Sequence, residues 1–251
     1  MNAYVKTDNG AFPDVNFYSA WKGFRELGYA VALMDDERTA DVCLDTPVFA
    51  GIPAFERVMQ RLGANYQRLD TYPAELQPLL VRNLERMQLQ EAKRRFSRTL
   101  TPVFVKPVMG KQFHGRLWRS SLDLIPLAKI PGDAEVFVSD PIVLLSEFRC
   151  YVKGGEIVAV KHHAGDWERP IGRTTVEDAV RMFKAAPAAY ALDFGVAEVG
   201  GIRRDVLVEA NDATSLGNYG LDAVRYAEML VARWDEIVYK KRKEIETARR
   251  K

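Results

Sequence analysis

The sequence predicts a mixed α/β protein in which a small parallel α/β domain, residues 1–85, precedes a larger α+β domain, residues 86–251. In the first part, short apolar runs alternate with helical patterns at the spacing of a parallel sheet. In the second part, glycine pairs separate strand-like runs, which is typical of antiparallel hairpins. The length of the chain allows one large domain or two small ones, each with a core.

Composition limits the class of protein. The 251 residues include 36 basic and 34 acidic side chains, and the net charge of +2 indicates no general affinity for polyanions. No apolar run reaches the roughly 18 residues of a membrane span, and the N-terminus lacks a signal-peptide core. Cys43 and Cys150 lie in apolar runs and are predicted to be reduced core thiols. We therefore expect a soluble cytoplasmic protein with no membrane partner.

The N-terminal elements follow from apolar periodicity and from glycines that end helices. Strands are predicted at residues 3–6, 30–34 and 42–44, and helices at residues 17–27 and 52–62. Residues 8–10, Asp-Asn-Gly, are predicted to form a turn. No glycine-rich dinucleotide or phosphate-loop motif is present, so this part gives no support for such a site.

A helical pattern of apolar residues extends over residues 73–98. It predicts one long helix that connects the two domains. Its basic end, residues 93–95, is typical of a solvated helix face and is not by itself evidence of a nucleic-acid surface.

Lys106 ends an otherwise apolar strand at residues 101–106. An ammonium group in such a place needs an anionic partner or has to remain in solvent, and a phosphate is a suitable partner. The loop that follows, residues 108–115, contains Gly110 and Lys111 and is predicted to fold over phosphates. The alternative, an exposed lysine at the end of a strand, remains open at this point.

Two strands at residues 135–139 and 142–152 come next, and a glycine turn leads into a third at residues 156–161. Because side chains alternate along a strand, Glu147 and Arg149 lie on one face. His162 and His163 are adjacent and point to opposite faces, which argues against a zinc site.

Glu209 and Asn211 follow a short apolar strand near the end of the chain. They share one face and are separated by about 7 Å, at a rise of roughly 3.3 Å per residue. Mg²⁺ binds few protein carboxylates and takes its other ligands from phosphate and water, so a glutamate and an asparagine suit it. Without the rest of the chain, a strand that runs into a polar loop is an equally good interpretation.

Asp193 lies in the preceding strand, residues 188–198, and is the candidate third ligand. If residues 199–201 form a three-residue loop, Asp193 pairs with Leu207 and shares a face with Glu209 and Asn211. A loop of two or four residues turns Asp193 to the opposite face. A last helix is predicted at residues 222–243, with a basic end that we expect to be frayed and solvated.

The order of these pieces resembles the ATP-grasp superfamily over about residues 100–230. Val105-Lys106-Pro107 resembles its nucleotide-phosphate strand, and residues 136–139 fall where its adenine-contacting hinge strand would be. Glu209-Ala210-Asn211 is similar to its metal-binding pair. The strand pair formed by residues 147–152 and 156–161 is similar to that of carboxylate–amine ligases that extend a protein or peptide terminus.

The sequence is still more similar to a poorly characterised ATP-grasp clade of bacteria and phages. Its hallmark, a Ser-Glu-aromatic-Arg strand with a downstream lysine, is similar to residues 146–149 and Lys161. Its Glu-x-Asn-Asp motif opens a loop that ends in Gly-x-Tyr-Gly, as residues 209–220 do here. The Asn-Thr-x-Pro-Gly motif of familiar ATP-grasp ligases is absent, and the loop after Lys106 is short of glycine.

The resemblance implies ATP and Mg²⁺ as cofactors and assigns roles to nine residues. Lys106 is implied at the α- and β-phosphates, and Arg149 and Lys161 at the acyl phosphate. The implied metal ligands are Asp193, Glu209 and Asn211. The remaining implied nucleotide contacts are Phe137, Val138 and Glu147, the last of which could instead pair with an arginine.

The resemblance further implies an ATP-dependent ligase that joins a small-molecule or peptide carboxylate to an amine. It implies that residues 86–251 form two α+β subdomains with the nucleotide site between them, and that the N-terminal domain helps to form the acceptor site. Two alternatives remain: a small-molecule kinase that stops at phosphate transfer, and a non-catalytic nucleotide-binding module. A nucleic-acid substrate, bound through the basic C-terminal tail, is the less favoured partner.

Overall fold

The computed structural model describes residues 1–109 and 113–249. The elements of the N-terminal part are β1 (Asn2–Lys6), α1 (Val15–Glu26), β2 (Ala30–Met34), β3 (Val48–Phe49) and α2 (Ile52–Leu62). Its three strands are parallel and lie in the order β2-β1-β3, and we call them the parallel sheet. The parallel pairing and the alternation of strand and helix confirm the fold predicted for this part of the chain.

The third strand lies later in the chain than predicted. Residues 42–44 form a loop, because the amide of Val42 bonds locally to the carbonyl of Ala40. The amide of Tyr4 bonds to the carbonyl of Pro47 instead, which brings Val48–Phe49 into register beside β1. The prediction of a core thiol is consequently wrong for Cys43, which is exposed, whereas Cys150 is buried.

The long helix predicted at residues 73–98 is wrong. The segment contains a 3₁₀ helix (Ala74–Leu79), β4 (Leu84–Gln88) and α3 (Leu89–Thr99). Pro78 lacks the amide hydrogen that an α-helix requires, and Val81 has a φ of 53°, outside the right-handed helical region. The residues of β4 pair instead with residues 135–139, about fifty positions further along the chain. The predicted domain division between residues 85 and 86 falls within β4.

The next sheet, which we call the small sheet, consists of β4 and three later strands. These are β5 (Val103–Pro107), β6 (Arg116–Trp118) and β7 (Glu135–Ser139). The four strands are antiparallel and lie in the order β4-β7-β5-β6. Helix α3 and a 3₁₀ helix (Ser121–Leu127) supply apolar side chains to the core of this sheet. Trp118 is completely buried there and packs edge-on against Phe96 at 5.6 Å.

The remaining strands form a further antiparallel sheet, which we call the large sheet. The elements are β8 (Leu144–Lys153), β9 (Glu156–Gly165), α4 (Arg173–Met182), β10 (Ala189–Val199) and β11 (Ile202–Asp212). Its four strands lie in the order β11-β10-β8-β9. Both predicted glycine turns are confirmed. Gly154 and Gly155 join β8 to β9 with φ values of 60° and 79°, a backbone that residues with a side chain rarely adopt.

The last helix, α5 (Ala223–Arg249), packs against the N-terminal part of the chain. A β-carbon on Gly23 of α1 would lie 1.9 Å from the carbonyl oxygen of Ala223, so the two helices can approach this closely only with glycine at that position. Phe24 and Tyr226 belong to one buried cluster that also includes residues of β1. The first and last elements of the chain therefore share a core.

The basic end of α5 differs from the frayed tail that the sequence predicts. The helix continues to Arg249, and Lys241 and Lys243 pair with glutamates three residues further on. Arg242 bonds to the carbonyl of Leu44 and pairs with Asp235. Within residues 1–109 and 113–249, no helix is both long and apolar enough to cross a membrane.

Leu100 offers a direct test of backbone strain in this fold. It ends α3 in the left-handed conformation with a φ of 50°, and its side chain is about half exposed. A β-carbon in this conformation destabilises the fold by roughly 1–2 kcal/mol. Glycine removes this strain, but it also increases the entropy of the unfolded chain, which offsets part of the gain. We expect Leu100→Gly to raise the free energy of unfolding by about 1 kcal/mol in urea titrations.

Leu100→Ala is the control, because alanine retains the β-carbon and its strain. An equal gain in both variants would show that the exposed leucine side chain, and not the backbone, is responsible.

Candidate functional site

The centre of the candidate site is an ion pair that joins the small sheet to the large sheet. Lys106 at the end of β5 contacts the Glu209 carboxylate on β11, and the two side chains are only 19% and 26% exposed. The Lys106 ammonium also lies 5.3 Å from the centre of the Tyr72 ring. Lys106 is therefore partnered by a carboxylate and an aromatic ring, and the alternative of a solvated strand-end lysine is wrong.

The ion pair determines the charge state of both partners. Burial disfavours the ammonium form of Lys106, but the adjacent Glu209 carboxylate outweighs this effect and raises the pKa of Lys106. Burial likewise disfavours the ionised form of Glu209, and the charge of Lys106 reverses the shift, so that the pKa of Glu209 is lowered. Both side chains are charged at neutral pH.

A second ion pair lies on the same face of the large sheet. Arg149 on β8 stands opposite Asp193 on β10, and its Nε and Nη2 donate to the two carboxylate oxygens at 2.7 and 2.6 Å. The side chains are 5% and 8% exposed. Burial disfavours the guanidinium charge, but the two hydrogen bonds to Asp193 outweigh it and raise the pKa of Arg149. Burial also raises the pKa of Asp193, a shift that Arg149 opposes.

Asn211 links the two ion pairs. Its amide nitrogen Nδ2 donates to Asp193 Oδ2 at 3.0 Å and to Glu209 Oε1 at 3.2 Å. Polar contacts therefore run without interruption from Lys106 through Glu209, Asn211 and Asp193 to Arg149. The structure thus brings five of the nine predicted site residues into one network.

The shared face of Asp193 and Glu209 arises in a way that the sequence analysis did not anticipate. The loop between β10 and β11 has two residues, since Val199 pairs with Ile202. A regular ladder with this loop would place Asp193 opposite Val208. A β-bulge between Asp193 and Phe194 shifts the register by one residue, so that Asp193 stands opposite Glu209 and not opposite Leu207, the partner that a three-residue loop would have given it.

The other four predicted residues lie around this network at different distances from it. Lys161 on β9 stands opposite Arg149, and Glu147 lies two residues before Arg149 on the same strand. Phe137 on β7 stands opposite Lys106 and contacts the Tyr72 ring edge-on at 4.7 Å.

Val138 is the predicted site residue that lies on the face of β7 turned away from Lys106. It packs with the core of the small sheet, on the face opposite to Phe137. Alternation along β7 makes this unavoidable, because neighbouring residues of a strand point to opposite faces. The contact of Val138 with a nucleotide stays a prediction. Gly110 and Lys111 of the predicted phosphate loop lie outside the described residues.

Two aromatic residues and a histidine belong to the site without having been predicted. The Tyr219 ring lies 4.3 Å from the Arg149 guanidinium carbon, and His163 stacks on that ring at 4.5 Å. Tyr72 lies beneath the ammonium of Lys106. The Gly-x-Tyr-Gly motif was a signal for Tyr219, and His163 was considered only as a zinc ligand. No local pattern indicates Tyr72.

The residues present fit a magnesium ion in the type of ligand they offer. Asp193, Glu209 and Asn211 present carboxylate and amide oxygens on one face, and Mg²⁺ prefers such hard oxygen ligands. The Asn211 oxygen accepts no hydrogen bond from the described residues. Each carboxylate, however, is held by a cation, and residues 1–109 and 113–249 contain no ready group of three or more His, Cys, Asp or Glu ligands. Their role as metal ligands stays a prediction.

Part of the chain matches the sequence model of a known family. A sequence model described as an ATP-grasp domain, the second family of its clade, matches residues 79–229, more than half of the chain. A search of curated proteins gives no significant match.

Solved structures of ATP-grasp proteins resemble the chain over most of its length. D-alanine–D-alanine ligase from Bacillus anthracis, complexed with ATP, superimposes with a TM-score of 0.60 at 14% identity, over 97% of this chain and 98% of the ligase. A RimK domain ATP-grasp protein from Sphaerobacter thermophilus gives 0.59 at 14% identity, over 95% and 100%. The ATP-grasp ligase PsnB with a minimal precursor gives 0.54 at 16% identity, over 93% and 99%. At these identities the likeness shows the fold alone.

Glu147 provides a test of the electrostatics of the site. Burial raises its pKa, so the folded protein retains this proton over a pH range in which the unfolded chain has released it. Stability is therefore lost as the pH rises above the usual carboxyl pKa. We expect Glu147→Gln to gain stability relative to the wild type as the pH rises above the usual carboxyl pKa, as measured by urea denaturation at each pH.

Glu156→Gln, at the exposed start of β9, is the control for replacing a carboxylate by an amide. A difference between Glu147→Gln and the wild type that is constant with pH would contradict the assignment.

Proposed function

Because the chain belongs to the ATP-grasp domain family whose model matches residues 79–229, we propose that it is an ATP- and Mg²⁺-dependent ligase that joins a carboxylate to an amine through an acyl phosphate. The observation that carries this proposal is the network that runs from Lys106 through Glu209, Asn211 and Asp193 to Arg149. It combines Lys106 on the small sheet, proposed to bind phosphate, with oxygen ligands for a metal ion and a second cation on adjoining strands of the large sheet. Phosphoryl transfer requires such positioning and charge neutralisation more than it requires a covalent residue.

Lys106 is the proposed contact for the nucleotide phosphates between the two sheets. The ammonium is already desolvated, so it can pair with a phosphate without the full cost of leaving water. Phe137 stands opposite Lys106 and offers an apolar surface beside it, and Glu147 is the proposed ribose contact. The proposed metal ligands are Asp193, Glu209 and Asn211. A bound Mg²⁺ would neutralise charge on the phosphate oxygens.

Arg149 and Lys161 are proposed to stabilise the reacting groups. A carboxylate oxygen of the acid attacks the terminal phosphorus of ATP, and the bond to ADP breaks. The nitrogen of the amine then attacks the acyl carbon, inorganic phosphate leaves, and the amine loses a proton. Negative charge develops on oxygen in both steps, where two fixed cations on neighbouring strands are effective.

The N-terminal part of the chain is close enough to contribute to the acceptor site. Asn16, at the start of α1, accepts a hydrogen bond at 2.6 Å from the amide of Asn218. Asn218 precedes Tyr219, whose ring covers the Arg149 guanidinium. The substrates proposed are a small-molecule or peptide carboxylate and an amine.

Nucleotide binding tests the proposal at its first step. We expect ATP to stabilise the wild type in a Mg²⁺-dependent manner, by about 2.7 kcal/mol at a hundredfold excess over the dissociation constant. Lys106→Met and Glu209→Gln should lose this gain in thermal melts. The double variant Lys106→Met/Glu209→Gln should also lose it, without leaving a buried charge unpaired.

Lys153→Met is the matched control, because Lys153 pairs with Glu228 away from the network. A wild type that ATP does not stabilise would overturn the proposal. ADP release that requires both an acid and an amine supports the ligase, whereas ADP and a stable phosphorylated product without any amine would identify a kinase.

A further inference from the structure

We propose that Arg82 is a positioning residue for the metal site. Its guanidinium holds the β-bulge of β11 that turns Glu209 and Asn211 toward Asp193. This inference rests on the proposed function, since it concerns the same metal ligands. Arg82 donates no hydrogen bond to their side chains within the described residues and acts through the backbone of β11.

The bulge is what creates the shared face of the ligands. Phe194 pairs with Leu207, but the next residue along β10, Asp193, pairs with Glu209, so Val208 is an extra residue on β11. Without it, Glu209 would stand one position further along and point to the opposite face of the sheet. The extra residue therefore decides whether the Glu209 carboxylate or the apolar side chain of Val208 stands opposite Asp193.

Arg82 recognises a backbone geometry that only an irregular strand presents. Its Nη1 donates to the carbonyl of Leu207 at 2.8 Å, and its Nη2 donates to the carbonyl of Val208 at 3.0 Å. Consecutive carbonyls of a regular strand point to opposite sides, so one planar guanidinium cannot reach both. At the bulge they converge, and the two nitrogens of Arg82 bond to one each.

β11 needs such a partner because it is the edge strand of the large sheet. Its outer backbone groups would otherwise be without protein partners at the position of the bulge. The same segment of chain supplies a second bond to this edge, since the amide of Ala210 donates to the carbonyl of Thr71 at 2.9 Å. The backbone on both sides of Glu209 is thus held from outside the sheet.

Backbone strain beside Arg82 is consistent with this role. Val81 has a φ of 53°, which is highly unusual for a β-branched residue. Such strain persists where the surrounding contacts over-determine the backbone. Arg82 Nη1 also donates to the carbonyl of Leu80 at 3.2 Å, which closes a tight loop around Val81 and aims the guanidinium at β11.

The test compares Arg82→Lys with Arg61→Lys. Lysine retains the positive charge but cannot span two carbonyls. Arg61 is a matched control, because its guanidinium also donates to backbone carbonyls, those of Glu37, Arg38 and Ala40, in the turn that follows β2. The dissociation constant of ATP is measured by calorimetry with and without Mg²⁺ for both variants and the wild type.

We expect the factor by which Mg²⁺ increases ATP affinity to be roughly tenfold or more smaller in Arg82→Lys than in the wild type. Residues that orient metal ligands typically have effects of this size. Its affinity without Mg²⁺ should change little, since Lys106 is intact. Arg61→Lys should retain the full gain. An Arg82→Lys variant that retains the full gain overturns the inference, as does one whose affinities with and without Mg²⁺ fall equally, because that would indicate a merely structural role.

Failure of the proposed function would be recognised separately, because the wild type itself would then not bind ATP. If Arg82→Lys does not melt cooperatively, the same measurement uses Val81→Gly/Arg82→Lys with Val81→Gly as its reference. Glycine adopts a φ of 53° without strain and offsets the lost stability. The same loss of the Mg²⁺-dependent gain is expected there, and its retention would overturn the inference.

Discussion

The contact between Lys106 and Glu209 is the interaction on which the geometry of the site depends. It is an ion pair between two separate sheets, so it fixes the distance between β5 and β11 at the point where the proposed substrates meet. Burying two charges costs free energy unless each charge compensates the other. Removal of either partner would therefore leave the remaining charge buried and unpaired. The relative position of the two sheets therefore depends on whether Lys106 and Glu209 are both charged.

A neutral side chain between two carboxylates makes this arrangement possible. Asn211 donates to both Asp193 and Glu209, so like charges are bridged by a donor and each retains its own cation on the outer side. An aspartate at this position would have placed three carboxylates together with two cations. The alternation of acid, amide and acid thus keeps the described network close to electrically neutral before any ligand enters.

The parts of the molecule that could be predicted are those in which local pattern decides the structure. The strand of residues 135–139 and the turn at Gly154 and Gly155 follow from apolar runs and glycine conformations, and both appear in the structure. Strand β4 could not be predicted, because residues 84–88 have helical periodicity and become a strand only through pairing with β7. The bulge at Val208 is another feature of long-range pairing. Alternation placed Glu209 and Asn211 on one face, but their partner on β10 depended on a register that the sequence left open.

The close approach of α1 and α5 at Gly23 has a consequence for how the chain acquires its structure during synthesis. The β1 strand and α1 helix bury apolar surface against Tyr226 and Leu230, more than two hundred residues further along the chain. During translation at about 5–20 residues per second, the first α/β segment leaves the ribosome several seconds or more before the helix that completes its core. The α/β segment is therefore complete only after α5 has been made, and until then the apolar surface of β1 and α1 that packs on Tyr226 and Leu230 stays exposed.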